Sequence, residues 1–122
     1  GADALSAINT LVGMSINTAN RKSNIYYGFG GLSGPAIKPV GLACVHKVYK
    51  AVDIPLIGIG GIVSAVDVLE YVLAGAVAVE VGTANYRDPN VGNSIILELD
   101  ALLNKNDLGS IHELVGKVEL GS

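Results

Sequence analysis

Apolar residues in this chain come in short β-branched runs, separated by stretches in which they recur at helical intervals. "ALSAI" at 4–8 predicts a buried strand ending near Asn9. "DIPLIGIGG" at 53–61 predicts a second strand, with Pro55 near its start, and "VAVEV" at 77–81 a third. Between the first two, Leu42, Val45, Val48 and Tyr49 have helical spacing. That helix is expected to begin at Pro39, after the start signal of Ser33, Gly34 and Pro35. Ser64 and Asp67 stand at capping-box spacing ahead of an apolar face of Leu69, Val72 and Leu73, and Gly75 marks the exit. A further helix is expected over 92–107, capped by Asn93 or Ser94, and a short last one over 110–118, where Ser110 and Glu113 repeat the box.

One segment breaks the alternation. "GMSIN" at 13–17 and "NIYYG" at 24–28 flank a polar, charged turn, which predicts a β-hairpin excursion. Strand, hairpin, helix, strand, helix, strand, helix, helix implies βαβ units and an α/β fold with parallel strands. Three such strands neither close a barrel nor cover their own edges, so something else is expected to cover them.

The 122 residues suffice for one domain, 1–122, with Gly121 and Ser122 set aside as a cloning scar. Half of them are hydrophobic, which excludes a disordered chain. The net charge of −3, with no basic cluster beyond "NRKSN" at 20–24, argues against nucleic-acid binding. No apolar run reaches the roughly 18 residues of a membrane span. A lone Cys44 excludes an internal disulfide and suits a reducing cytoplasm. With His46 and His112 far apart, it gives no metal site.

Candidate chemistry sits at the strand ends. Gly60–Gly61 and Gly82–Thr83 fall at the carboxyl ends of successive strands, where parallel α/β proteins bind ligands. Without a Cβ, backbone N–H groups can approach an anion closely, and the helix after Gly61 adds its positive end. One such pair would be an ordinary tight turn. Two in successive units point to a shared phosphate, as after strands seven and eight of a (β/α)₈ barrel. Asn9 and Thr10 end the first strand on the same rim, where an amide could read a planar imide or carboxylate, or could simply cap the loop. Gly34 could be a helix cap or a ligand contact. Lys38 reads as a solvated charge, Cys44 as an inert helical thiol, and His46 and His112 as surface or packing residues. Tyr26, Tyr27 and Phe29 read as packing or an oligomer contact.

"INTLVGM" at 8–14, "GGLSGPAIKP" at 30–39, "IPLIGIGGI" at 54–62 and "AGAVAVEVGTAN" at 74–85 resemble dihydroorotate dehydrogenase, in order and in spacing. "LSGPAIKP" is similar to the class 1B branch, and "SIHELVGK" at 110–117 to that family's C-terminus. The resemblance implies a partial FMN-binding (β/α)₈ TIM barrel, strands six to eight with their helices. It implies that Gly34, Gly60, Gly61, Gly82 and Thr83 contact FMN, mainly its phosphate, and that Ile8 lies against the flavin. Asn9 and Thr10 would hold dihydroorotate or orotate. In class 1B the base is a Cys on a loop after the fourth strand. That loop is not in this chain, and Cys44 does not match it, so no catalytic residue is expected here. The implied partners are the missing barrel segment or a second copy of the chain, and a subunit carrying FAD and an iron–sulfur cluster that passes electrons to NAD. The other readings are a non-catalytic flavin- or phosphate-binding module that self-associates, and a related FMN barrel such as dihydropyrimidine dehydrogenase.

Overall fold

A computed structural model describes residues 1–121. Strand β1 (Leu5–Ala7) is followed by an excursion of four short strands, β2 (Leu11–Gly13), β3 (Ile16–Asn17), β4 (Lys22–Ser23) and β5 (Gly30–Leu32). A 3₁₀ turn at Pro35–Ile37 leads into helix α1 (Lys38–Tyr49). Then come β6 (Leu56–Ile59), α2 (Ala65–Ala74), β7 (Ala78–Glu80), a single turn α3 (Ala84–Arg87), α4 (Val91–Lys105) and a closing 3₁₀ turn at Ile111–Leu114.

The three strands expected from the apolar runs form one parallel sheet in the order β1-β6-β7. Its register sets Ser6 beside Ile57 and Ile57 beside Ala78. Because side chains alternate, these three share one face, and Leu5, Leu56 and Val79 belong to the other. The second face carries the core: Val45 from α1 and Val68, Tyr71 and Val72 from α2 pack over Leu56 and are buried. Among the described residues the first face has no layer over it, and Ser6, Ala78 and Glu80 are exposed there. Parallel sheets are almost always covered on both faces. The chain exposes 8143 Å², where a compact protein of 12.5 kDa would expose about 6,200 Å².

Helix α1 begins at Lys38, with Pro39 in its first turn, where a missing N–H costs nothing. Helix α2 carries the expected capping box: Ser64 Oγ accepts from the Asp67 N–H, and Asp67 Oδ2 accepts from the Ser64 N–H at 2.9 Å. Three expectations need correction. In the excursion, "NIYYG" is not a strand. Residues 11–13 pair with 30–32 and 16–17 with 22–23, while Tyr26 and Tyr27 project from a turn. Helix α4 starts after Asn90, whose side chain makes no capping hydrogen bond, rather than at Asn93 or Ser94, because burial of Val91 draws the first turn earlier. The last element is one 3₁₀ turn, and Gly116 at φ 71° ends it.

Asp67 does more than cap. It is 6% exposed, and its carboxylate also accepts from the Val63 N–H at 2.9 Å and from Lys38 Nζ at 2.5 Å. Lys38 Nζ contacts Glu70 as well. Lys38 is therefore not a free solvated charge but the pin between the start of α1 and the start of α2. Burial pushes the Asp67 carboxyl up, yet the hydrogen bonds from Lys38, Val63 and Ser64 outweigh it and leave the group below its ordinary value. The hydrogen bond to Asp67 first, and then that to Glu70, raise Lys38.

Asp67→Ala should lower unfolding free energy by about 3 kcal/mol at neutral pH, since it strips a cap and leaves Lys38 without its main partner. A carboxylate depressed in the folded state stabilises above its unfolded pKa of about 3.9 and loses that contribution as pH falls through the folded value. Urea unfolding of both proteins should therefore show the gap between them closing in acid. A gap that persists unchanged would contradict the assignment.

Candidate functional site

All the glycine-bearing ends of the sheet meet at one place. Ile8 and Thr10 after β1, Gly60 and Gly61 after β6, and Gly82 and Thr83 after β7 line a single pocket of 180 Å³ together with Gly34. The two expected phosphate turns thus face the same space. Thr83 Oγ1 donates to Ser33 Oγ at 2.8 Å, which ties the loop after β7 to the loop before α1. Ile8 N–H donates to Ile59 O at 3.0 Å and fixes the end of β1 against β6. Asn9 is set apart: it lines a neighbouring shallow depression with Phe29 and Gly30, and Thr10 borders both.

The glycines are there for different reasons. Gly61 has φ +72°, and a Cβ on it would come within 2.8 Å of Gly34 O, so the fold itself demands glycine. Gly34 has φ +87°. Gly82 has neither constraint: its backbone is ordinary, and a Cβ would meet nothing within 4 Å. Nothing among the described residues needs that position bare, so the space it leaves is available to a ligand.

The N–H groups of Gly61, Gly82 and Thr83 donate to no protein acceptor among the described residues. The carbonyls that share peptides with all three are held, Val81 O by Asn85 Nδ2 at 2.6 Å. Tyr71 Oη donates to Gly60 O at 2.8 Å. Asn85 Nδ2 donates to Gly82 O at 3.1 Å, and the Asn85 N–H reaches the same oxygen at 3.0 Å. A trans peptide points its C=O and N–H in opposite directions, so each held carbonyl turns the following N–H the other way. Burial pushes the Tyr71 phenol up, which keeps its proton in place as a donor.

One part of the expected cradle is used otherwise. The first N–H groups around the start of α2 are already met: Val63 and Ser64 by the Asp67 carboxylate, and Ala65 by Glu98 at 3.3 Å. The positive end of that helix is neutralised within the protein, and the free donors come from the loops instead. The charges lining the pocket are Arg87, at the end of α3, and Glu80. Neither was singled out in the sequence, since both look like surface charges there. Asn9 Oδ1 accepts from the Thr10 N–H at 2.7 Å, so the group it has left for a ligand is its NH₂. Cys44 is half-buried in α1, and His112 is exposed. His46 is half-buried with an unpartnered Nδ1 among the described residues. No group of His, Cys, Asp and Glu among those residues could hold a metal ion, and no described helix is long and apolar enough to cross a membrane.

The sequence model of the dihydroorotate dehydrogenase family matches residues 1–103. The catalytic subunit of dihydroorotate dehydrogenase B (NAD(+)) from Desulforamulus reducens is 54% identical over 120 residues, which are 98% of this chain and 40% of that protein. Its counterpart from Geotalea daltonii is 51% identical over 120 residues, 98% of this chain and 39% of the relative. Among solved structures, DHODH from Eimeria tenella in complex with ferulenol superposes with a TM-score of 0.77 at 30% identity, over 94% of this chain and 31% of that one. The chain thus spans about two-fifths of the length of the curated relatives it matches. A glycine-lined pocket at the ends of parallel strands, the four ordered motifs and these matches lead to one conclusion: the chain belongs to the dihydroorotate dehydrogenase family.

Proposed function

We propose that this chain is one part of an FMN-dependent dihydroorotate dehydrogenase of the class 1B type, folded as a segment of a (β/α)₈ barrel equivalent to strands six to eight. The observation that carries the reading is the convergence of two glycine loops on one pocket with free amide donors. Gly34, Gly60, Gly61, Gly82 and Thr83 fit the phosphate of FMN, with the Gly61 and Thr83 N–H groups as donors and Gly82 leaving room. Ile8 supplies an apolar surface for the flavin. FMN, when bound, supplies the hydride acceptor for oxidation of dihydroorotate to orotate. Asn9, offering its NH₂, and Thr10 suit the carbonyl or carboxylate oxygens of that substrate.

The barrel reading is supported by the sheet. The uncovered face with Ser6, Ile57 and Ala78 corresponds to a barrel interior, which is filled by side chains from all the strands together. The excess of about 2,000 Å² of exposed surface over the compact expectation is of the size an obligate interface buries. The pocket's 180 Å³ is below the roughly 300 Å³ at the lower end for small-molecule sites. It takes a phosphate and part of its chain, and the rest of the flavin needs walls from the remaining strands. The general base of class 1B lies on a loop after one of those strands, so the 122 residues alone bind without turning over. A partner subunit with FAD and an iron–sulfur cluster would then accept the electrons.

The open sheet favours a second reading for the chain by itself, a non-catalytic module that pairs with another copy through its bare face and edges. Light scattering on the purified chain separates the two: addition of the missing barrel segment should convert self-associated material to a one-to-one complex with higher FMN affinity.

Two substitutions test the site. Gly61→Ala should cost about 2 kcal/mol in urea unfolding, from its positive φ and the clash with Gly34 O. Gly82→Ala should change stability by less than about 0.5 kcal/mol yet weaken FMN binding in a fluorescence titration. Unchanged FMN binding in Gly82→Ala would remove the phosphate from this pocket. In the complex with the missing segment, Asn9→Ala should weaken orotate binding several-fold and leave FMN content unchanged, and equal loss of both would make Asn9 structural.

A further inference from the structure

Tyr71 heads the side chains that have no exposure at all. It sits in a slot that two other elements leave open. A Cβ on Gly58 of β6 would strike its ring, and a Cβ on Gly41 of α1 would strike its hydroxyl. Neither of these glycines needs a positive φ. The slot is shaped for a ring, and phenylalanine would fill nearly all of it. What the phenol adds is its O–H, which donates to Gly60 O at 2.8 Å and lies 3.3 Å from Ile59 O. Ile59 O is also the acceptor that holds Ile8 at the end of β1.

We infer that Tyr71 is a positioning residue for the anion site: its hydroxyl anchors the Gly60 carbonyl beneath the loop, so that the Gly61 N–H is presented on the other side, to the pocket. The inference rests on the FMN-phosphate reading given above. The loop needs an anchor of this kind. Gly60 and Gly61 have φ of +127° and +72°, and glycine crosses between backbone regions at little cost. A flip of the peptide between them would replace the N–H donor by a carbonyl oxygen and turn attraction for an anion into repulsion. The backbone at Gly82 has its own anchor in Asn85. Tyr71 therefore sets one of the three peptides, and its loss should weaken the site without abolishing it.

The experiment is Tyr71→Phe in the 122-residue chain, read in two ways. In amide proton–nitrogen correlation spectra, the variant should keep the dispersion of the folded protein. Its Gly61 resonance should shift from the wild-type position. In binding titrations, FMN should bind about tenfold more weakly, the equivalent of one charge-assisted hydrogen bond. Riboflavin, which lacks the phosphate, should bind as it does to the wild type. Biosynthetic replacement of the tyrosines by 3-fluorotyrosine, which keeps the ring and changes only the strength of the phenol's donation, should also shift the Gly61 amide, and it decides the matter if Tyr71→Phe does not fold. A Gly61 amide that does not move, or FMN and riboflavin affinities that fall together, would overturn the inference. If the wild-type chain takes up no FMN, that failure belongs to the functional reading, and the Gly61 amide alone then decides for or against the anchor.

Discussion

The distance at which α1 and α2 can approach β6 governs this structure. It is set where Gly41 and Gly58 give up their side chains to a single tyrosine ring. A Cβ at either place would collide with that ring, and the helices would have to ride further from the sheet. With the ring seated, Val45, Val68 and Val72 close over Leu56, and the loop after β6 is drawn down onto the phenol. Lys38 and Asp67 then lock the two helix starts together at the same end of the sheet. Packing of the core and shape of the pocket are thus consequences of one close approach.

That arrangement also divides the polar groups between two tasks. Asp67, Glu70, Glu98 and Lys38 satisfy helix ends and one another, so the charged side chains nearest the loop after β6 are committed inside the protein. What remains open toward the pocket is main chain from two loops, with Arg87 and Glu80 at its wall. Neutral, fixed donors suit a ligand whose charge is to be held by geometry as much as by Coulomb attraction. A family whose members differ in much of their sequence can retain such a site, because few side chains are asked to form it.

Much of this was legible in the sequence, and the failures have physical causes. The three sheet strands declared themselves through β-branched runs, and the cap of α2 through Ser64 and Asp67, because those signals are local. The glycine-bearing strand ends came together because strand ends in a parallel sheet share one side, while Asn9 turned to the neighbouring depression. The excursion was misread because strands of two or three residues carry no alternation to read. Its pairing is instead set by close contacts such as Gly31 against Thr10. Tyr71 was overlooked in favour of Leu69 and Leu73, which are only half-buried. Nothing local marks Tyr71 as the centre of the core, since the two glycines that admit it lie on other elements. Lys38 looked solvated for the same reason: its partners are 29 and 32 residues away.

The amide donors of Gly61 and Thr83 belong to the backbone, and every residue type except proline supplies the same group. A systematic truncation of side chains along this chain would therefore pass over the unpaired amide groups that line the pocket. It would register instead the residues that brace them from behind, such as Tyr71 and Asn85. A map of function drawn from such a survey would show a ring of apparent importance around a silent centre.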